Sequence, residues 1–185
     1  MTEPTEYIGF VGIGRMGANM ARCLHERGLH LTSVYDLHSA AAVDLANELR
    51  VYPAHTPAEV ADRSSVIITV VSDDTAMRAI FSATDQTSLL GNVRGRLFVN
   101  CATLSPSTHQ DIEGLVTERG GLCLEACMAG SITQARKGTL YLMCGGKPEA
   151  FARAETILAR LATTVRYIGP AGEAAKVKAL VNMVM

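Results

Sequence analysis

Gly12, Gly14 and Gly17 follow an apolar run, Tyr7 to Val11, and open a helical stretch, so they satisfy G-x-G-x-x-G in the setting that gives the pattern meaning. Each glycine has its own mechanical reason. Gly12 permits the tight turn, Gly14 lets backbone approach a pyrophosphate, and Gly17 lets the helix lie close on the strand. The helix opening at Arg15 and Met16 presents unpaired N–H groups and the positive end of its dipole to phosphates. A second apolar run, Leu31 to Tyr35, ends on Asp36, about 20 residues beyond the glycines, where a carboxylate accepts a ribose 2′-hydroxyl. That carboxylate repels a 2′-phosphate, and Leu37, His38 and Ser39 include no arginine to receive one, which favours NAD over NADP. The competing explanation is a turn that only packs a helix on a strand, in a chain with 16 glycines. The strand before, the helix after and the acid at the end of the next strand argue against it.

Lys178 and Asn182 stand four apart on a last helical stretch, Glu173 to Met185, and share an edge beside the apolar stripe Val177, Leu180, Val181 and Val184. Lys176 points elsewhere. On spacing alone, a lysine at a helix edge is a solvated charge more often than a catalyst. Desolvated beside a nicotinamide cation, however, it can serve as a general acid or base. The stretch stops at Val-Asn-Met-Val-Met without glycine, proline or a charged last turn, and so reads as a helix cut in the middle.

These residues need a scaffold, and the periodicity supplies one. A helix is expected over Ala40 to Leu49, followed by a short segment Val51 to Ala54. Thr56-Pro57 marks a capped helical start. Val66 to Val71 is a continuous β-branched run suited to a strand buried on both faces, and it ends on Val71, a candidate wall of the nucleotide site. Ser72-Asp73-Asp74 turns into a helix through Met77 and Ile80. Leu97 to Val99, a helix from Ser105-Pro106 to Glu118, and Leu122 to Ala126 continue the alternation. From Gly138 the pattern changes: Thr139 to Cys144 and Val165 to Ile168 are expected as edge strands flanking a helix, Pro148 to Leu161. Alternating strands and helices imply an α/β, Rossmann-type, doubly wound and mostly parallel sheet with antiparallel edge strands. The expected division is a cofactor domain over 1–170 and the start of an interdomain helix over 171–185.

With 185 residues, 48% of them apolar, the chain can bury a sizeable core. A net charge of −1 gives no case for nucleic acid or an anionic membrane, and no apolar stretch is long enough for a span. Five cysteines without C-x-x-C are expected as buried free thiols in a reducing cytoplasm, with no metal site.

Four ordered blocks resemble the β-hydroxyacid dehydrogenase family over essentially the whole chain. Gly9 to Gly17 is similar to its opening signature. Asn100-Cys101-Ala102-Thr103 with Ser105-Pro106 resembles its nicotinamide-side block. Glu125-Ala126-Cys127-Met128-Ala129-Gly130-Ser131 with Gly138-Thr139-Leu140 resembles its substrate block. Gly169 to Gly172 through Lys178 to Asn182 resembles its catalytic-lysine block. The resemblance implies Lys178 as the catalytic lysine, Asn182 as a substrate-orienting amide and Thr103 beside the nicotinamide. It implies Ala129, Gly130 and Ser131 as the loop for a substrate carboxylate, although Ala129 replaces the family's serine and Ser131 its glycine. It also implies a second, all-helical domain that is absent from this sequence.

The expected activity is hydride transfer between NAD and a small β-hydroxyacid or the corresponding semialdehyde. The alternative is a dinucleotide-binding module without turnover, acting as a sensor or interaction domain. Imine reduction on the same scaffold is a third reading, disfavoured by Lys178. Self-association through the last helix is expected from its apolar stripe.

Overall fold

The structure, a computed structural model, describes residues 5–184. Eight strands form one sheet: β1 (Tyr7–Val11), β2 (His30–Tyr35), β3 (Tyr52–Pro53), β4 (Val66–Thr69), β5 (Leu97–Asn100), β6 (Leu122–Ala129), β7 (Leu140–Gly146) and β8 (Ala162–Gly169), in spatial order β3-β2-β1-β4-β5-β6-β7-β8. Helices α1 (Arg15–Glu26), α2 (Ser39–Leu49), α3 (Pro57–Arg63), α4 (Asp74–Ile80), α5 (Pro106–Glu118), α6 (Ile132–Lys137), α7 (Pro148–Leu158) and α8 (Glu173–Val184) connect or cover them. The first six strands run parallel. β7 pairs antiparallel with β6, and β8 parallel with β7.

Strand alternation sorts the core onto two faces. Ile8, Phe10, Val66, Ile68, Leu97 and Val99 face one cluster. Val11, Ile67 and Phe98 face the other. Burial on both sides explains why β4 and β5 read as apolar runs, each closed by one buried polar residue, with the Thr69 hydroxyl donating to the Asn100 side-chain oxygen. Side-chain caps start the helices where the sequence suggested. Thr56 accepts the Glu59 N–H, Asp73 that of Ala76, and Ser105 that of Thr108.

Several expectations need correction. The Val66 to Val71 run leaves the sheet after Thr69, because its partner β1 ends at Val11; Val70 still donates to the Val11 carbonyl and the chain then turns away. Thr139 to Cys144 is not an edge strand: β7 lies between β6 and β8, and of the two expected edge strands only β8 is one. β8 is also longer than Val165 to Ile168, and α7 ends at Leu158, three residues before the expected Leu161. A short helix, α6, fills the link after β6 that the periodicity had left without an element. The apolar stripe of α8 is split. Val177 and Val181 pack inward against Cys127 and Met143, whereas Leu180 is 63% and Met183 81% exposed. Met185 lies outside the described residues. None of the described helices is long and apolar enough to cross a membrane.

Candidate functional site

The chain runs from β1 outward to β2 and β3 and then returns to the other side of β1 as β4, so the carboxyl ends of β1 and β4 diverge into a crevice. A cleft of about 710 Å³ opens there, within the usual range of small-molecule sites. Its walls bring together all the sequence-level candidates for the nucleotide: Gly12, Gly14, Arg15, Met16, Gly17, Asp36, Val71 and Thr103.

The three glycines differ in what demands them. Gly12 has φ +86°, a backbone shape that L side chains rarely adopt, and a Cβ there would stand 2.5 Å from the Val70 carbonyl oxygen. A Cβ on Gly17 would overlap the Gly12 carbonyl oxygen. Those two are required by the fold itself. A Cβ on Gly14 would meet nothing within 4 Å, so no contact inside the protein explains that glycine, and it borders the cleft. Gly14 is also the N-cap of α1 and supplies no side-chain acceptor, which leaves the first amides of a 12-residue helix free for an anion.

Asp36 is held in place from both oxygens. Oδ2 accepts the Ile13 N–H at 2.9 Å and Oδ1 the His38 N–H at 2.9 Å, which orients the carboxylate at the cleft edge with lone pairs to spare. The far wall was not legible in the sequence. Pro57 opens α3, Ile80 ends α4, and Asp85, Thr87 and Ser88 lie in the loop after α4, so they meet only in the folded chain.

The second group lies where β6 meets α8. Lys178 is only 8% exposed, so the solvated-charge reading of this lysine is wrong. It belongs to a helix that seats Ala174 and Ala175 on Cys127 and Met143, with Ala129, Val177 and Val181 packed around them. Burial pushes the Cys127 thiol up to about 12, the Glu125 carboxylate adds to the rise, and the Lys178 ammonium opposes it. Asn182 is exposed one turn further on. Gly130 sits at φ +149°, with Leu140 and Gln134 crowding the space of a side chain. Ser131 caps α6: its hydroxyl accepts the Gln134 N–H at 3.2 Å, and the Gln134 side chain accepts the Ser131 N–H at 2.8 Å. Among the described residues, the hydroxyl proton of Ser131 has no acceptor. Ala129, Gly130, Ser131, Lys178 and Asn182 lie outside the walls of the nucleotide cleft. Met128, the residue before Ala129 on β6, is in that wall and joins the two regions.

Glu125 is a buried acid that ties the lysine helix to the sheet. Its side chain is 1% exposed. Oε2 accepts the Gly172 N–H at 2.6 Å and Oε1 the Ala175 N–H at 2.9 Å, so the carboxylate clamps the start of α8 to β6. Burial raises its pKa, and the amides of Gly172, Ala175 and Ala174 pull it back. His109 Nδ1 lies 3.9 Å from Glu125 Oε2, too far for a hydrogen bond, and neither imidazole nitrogen has a partner among the described residues. Burial lowers the His109 pKa to about 4, against the pull of Asp74. A glutamate within the run Leu122-Cys123-Leu124-Glu125-Ala126-Cys127 signals a buried charge with a task, but its partners, 47 and 50 residues away, are not visible in sequence.

Residues 7–169 match the family described as the NAD binding domain of 6-phosphogluconate dehydrogenase. The mitochondrial 3-hydroxyisobutyrate dehydrogenase of Mus musculus is 30% identical over 96% of this chain and 52% of its own length. The cytokine-like nuclear factor N-PAC of Danio rerio is 29% identical over 100% of this chain and 39% of its own. In structure, the 3-hydroxyisobutyrate dehydrogenase of Mycobacterium tuberculosis, solved with L-serine, superposes with a TM-score of 0.88 at 25% identity, covering 98% of this chain and 60% of that one. The chain spans about half the length of the mouse enzyme. By its cleft, its strand order and the match over residues 7–169, the chain belongs to this family of NAD-binding domains, and it is similar over its length to the cofactor half of 3-hydroxyisobutyrate dehydrogenases.

Proposed function

We propose that this chain is the cofactor half of an NAD-dependent oxidoreductase acting on a small β-hydroxyacid or the corresponding semialdehyde. One observation carries the reading: a cleft with open helix amides, a side-chain-free Gly14 and an oriented Asp36 shares β6 with the buried seat of a lysine-bearing helix. The α1 amides, with Arg15 and Met16, hold the pyrophosphate. Asp36 accepts a ribose hydroxyl, and Val71 and Thr103 line the path toward β6. NAD is preferred to NADP because Asp36 repels a 2′-phosphate. A bound nicotinamide supplies the hydride acceptor or donor. Lys178 takes the hydroxyl proton in oxidation, or returns one to the developing alkoxide in reduction. Its burial strengthens its electrostatic pull on that oxygen. Asn182 orients the substrate, and backbone amides at Ala129, Gly130 and Ser131 receive its carboxylate. The Mycobacterium tuberculosis relative solved with L-serine, itself a β-hydroxyacid, supports this substrate class.

The family match stops at Gly169, which supports a division at residue 170 between the cofactor domain and a helix shared with a second domain. Five buried free thiols suit a reducing compartment such as the cytoplasm. Self-association through α8 rests on Leu180 and Met183, and sedimentation across a wide concentration range tests it.

A second reading, a dinucleotide-binding module without turnover, is favoured by the likeness to the nuclear factor N-PAC. Calorimetric titration with NADH, then assay with L-serine and 3-hydroxyisobutyrate, separates the two. Binding with turnover that Lys178→Ala abolishes, while NADH affinity stays within twofold, supports the enzyme. Slow turnover is expected of a cofactor half on its own, and binding with no turnover at all on any hydroxyacid supports the module. No binding of NADH refutes both.

A further inference from the structure

We propose that Asp85 is a second determinant of cofactor choice, a carboxylate at the same end of the cleft as Asp36 that disfavours a dinucleotide bearing a 2′-phosphate. The inference rests on the NAD reading above and deepens it.

Asp85 lies in the connection between α4 and the short 3-10 turn Leu89–Gly91 and, like Asp36, lines the cleft. Its position is fixed. Oδ1 accepts the Thr87 N–H at 2.8 Å and the Thr87 hydroxyl at 2.7 Å, while the Thr87 carbonyl accepts the Ala58 N–H at 2.9 Å. That chain of bonds ties the Asp85 turn to the start of α3, just beyond β3 on the β2 side of the sheet. Oδ2 has no protein partner among the described residues. The Thr87 bonds hold the carboxyl below the usual aspartate range, so it stays ionised.

Tyr35 shows that the two acids share one neighbourhood. Burial raises its phenol pKa first, and the charges of Asp36 and Asp85 raise it further. Among the described lining residues Arg15 is the only arginine or lysine, and it belongs to the pyrophosphate end at the start of α1. A 2′-phosphate entering beside Asp36 therefore meets two negative charges and no guanidinium. A 2′-hydroxyl meets no such penalty. Across a wet cleft, one unit charge repels a phosphate dianion by about three- to tenfold in affinity, and the effect is screened by salt.

The test is titration of the whole chain with NADH and with NADPH, reading NADPH by competition against NADH where direct binding is weak. Wild type, Asp85→Asn and Asp85→Lys are compared at about 50 mM and 500 mM salt. The expected result is NADPH binding tightened about three- to tenfold by Asp85→Asn and more by Asp85→Lys, with NADH changed less than twofold. The gain should shrink at high salt. Unchanged NADPH affinity in both variants overturns the inference while leaving the NAD reading intact, provided NADH binds. Parallel weakening of NADH and NADPH also overturns it, since Asp85 would then be an ordinary nucleotide contact. Failure of wild type to bind NADH sinks the cofactor reading and this inference together.

Discussion

Replacing Glu125 should loosen α8 in a graded way. The carboxylate is almost fully buried and accepts two backbone N–H groups, from Gly172 and Ala175, at the start of the helix that carries Lys178. Glu125→Ala orphans both donors. Each buried, unsatisfied amide costs about 1–3 kcal/mol, and the lost volume adds to the cost unless water enters. Allowing for partial rehydration, the loss is about 3–5 kcal/mol. Glu125→Gln keeps one acceptor but turns an NH2 group toward the second amide, and it removes a negative charge from a helix N-terminus. That variant should cost about 2 kcal/mol. Urea unfolding measures the global effect, and amide hydrogen exchange over residues 172–178 measures the local one. Protection should fall there first, because α8 is held to the sheet through a small apolar contact plus this clamp. If Glu125→Gln unfolds within about 0.5 kcal/mol of wild type and α8 amides exchange unchanged, the clamp contributes nothing and the reasoning is wrong.

Three further outcomes follow from the same geometry. Gly14→Ala should leave thermal stability near wild type and weaken NADH binding at least tenfold, because its Cβ touches no protein atom and stands at the cleft border where a pyrophosphate would approach the backbone; equal NADH affinity would show that Gly14 is not a pyrophosphate contact. Gly17→Ala should instead cost stability, since its Cβ overlaps the Gly12 carbonyl, and a wild-type melting temperature would contradict the packing. His109 is buried neutral, with a pKa near 4 against an ordinary 6.5. The unfolded chain therefore binds its proton first: the stability is fully present above about pH 6.5 and is lost as pH falls toward 4, by about 3 kcal/mol in all. Burial raises the carboxyls of Glu113 and Glu125, which act in the opposite direction, so the quantity to follow is the difference in unfolding free energy between wild type and His109→Gln. A difference that stays flat from pH 7 to pH 5 would sink this assignment.

Local spacing was enough to place the first half of the site. The glycines, the helix after them and Asp36 act through backbone shape and through a strand-helix-strand unit about 30 residues long, so their geometry follows from contiguous sequence. The caps at Thr56, Asp73 and Ser105 were legible for the same reason: each joins residues three apart.

What the linear chain could not determine is long-range. Lys178 has the spacing of a surface charge, and only the seating of Ala174 and Ala175 on β6 and β7 buries it. The clamp by Glu125, the far wall of the cleft at Asp85 to Ser88, and the central place of β7 depend on which strands become neighbours. That is decided by the fit of whole apolar faces across the sheet. By itself, the sequence determined that this protein has a nucleotide turn and a lysine helix. The tertiary structure decided that they share β6, because the antiparallel return of β7 widens the sheet to carry α8 beside the cleft.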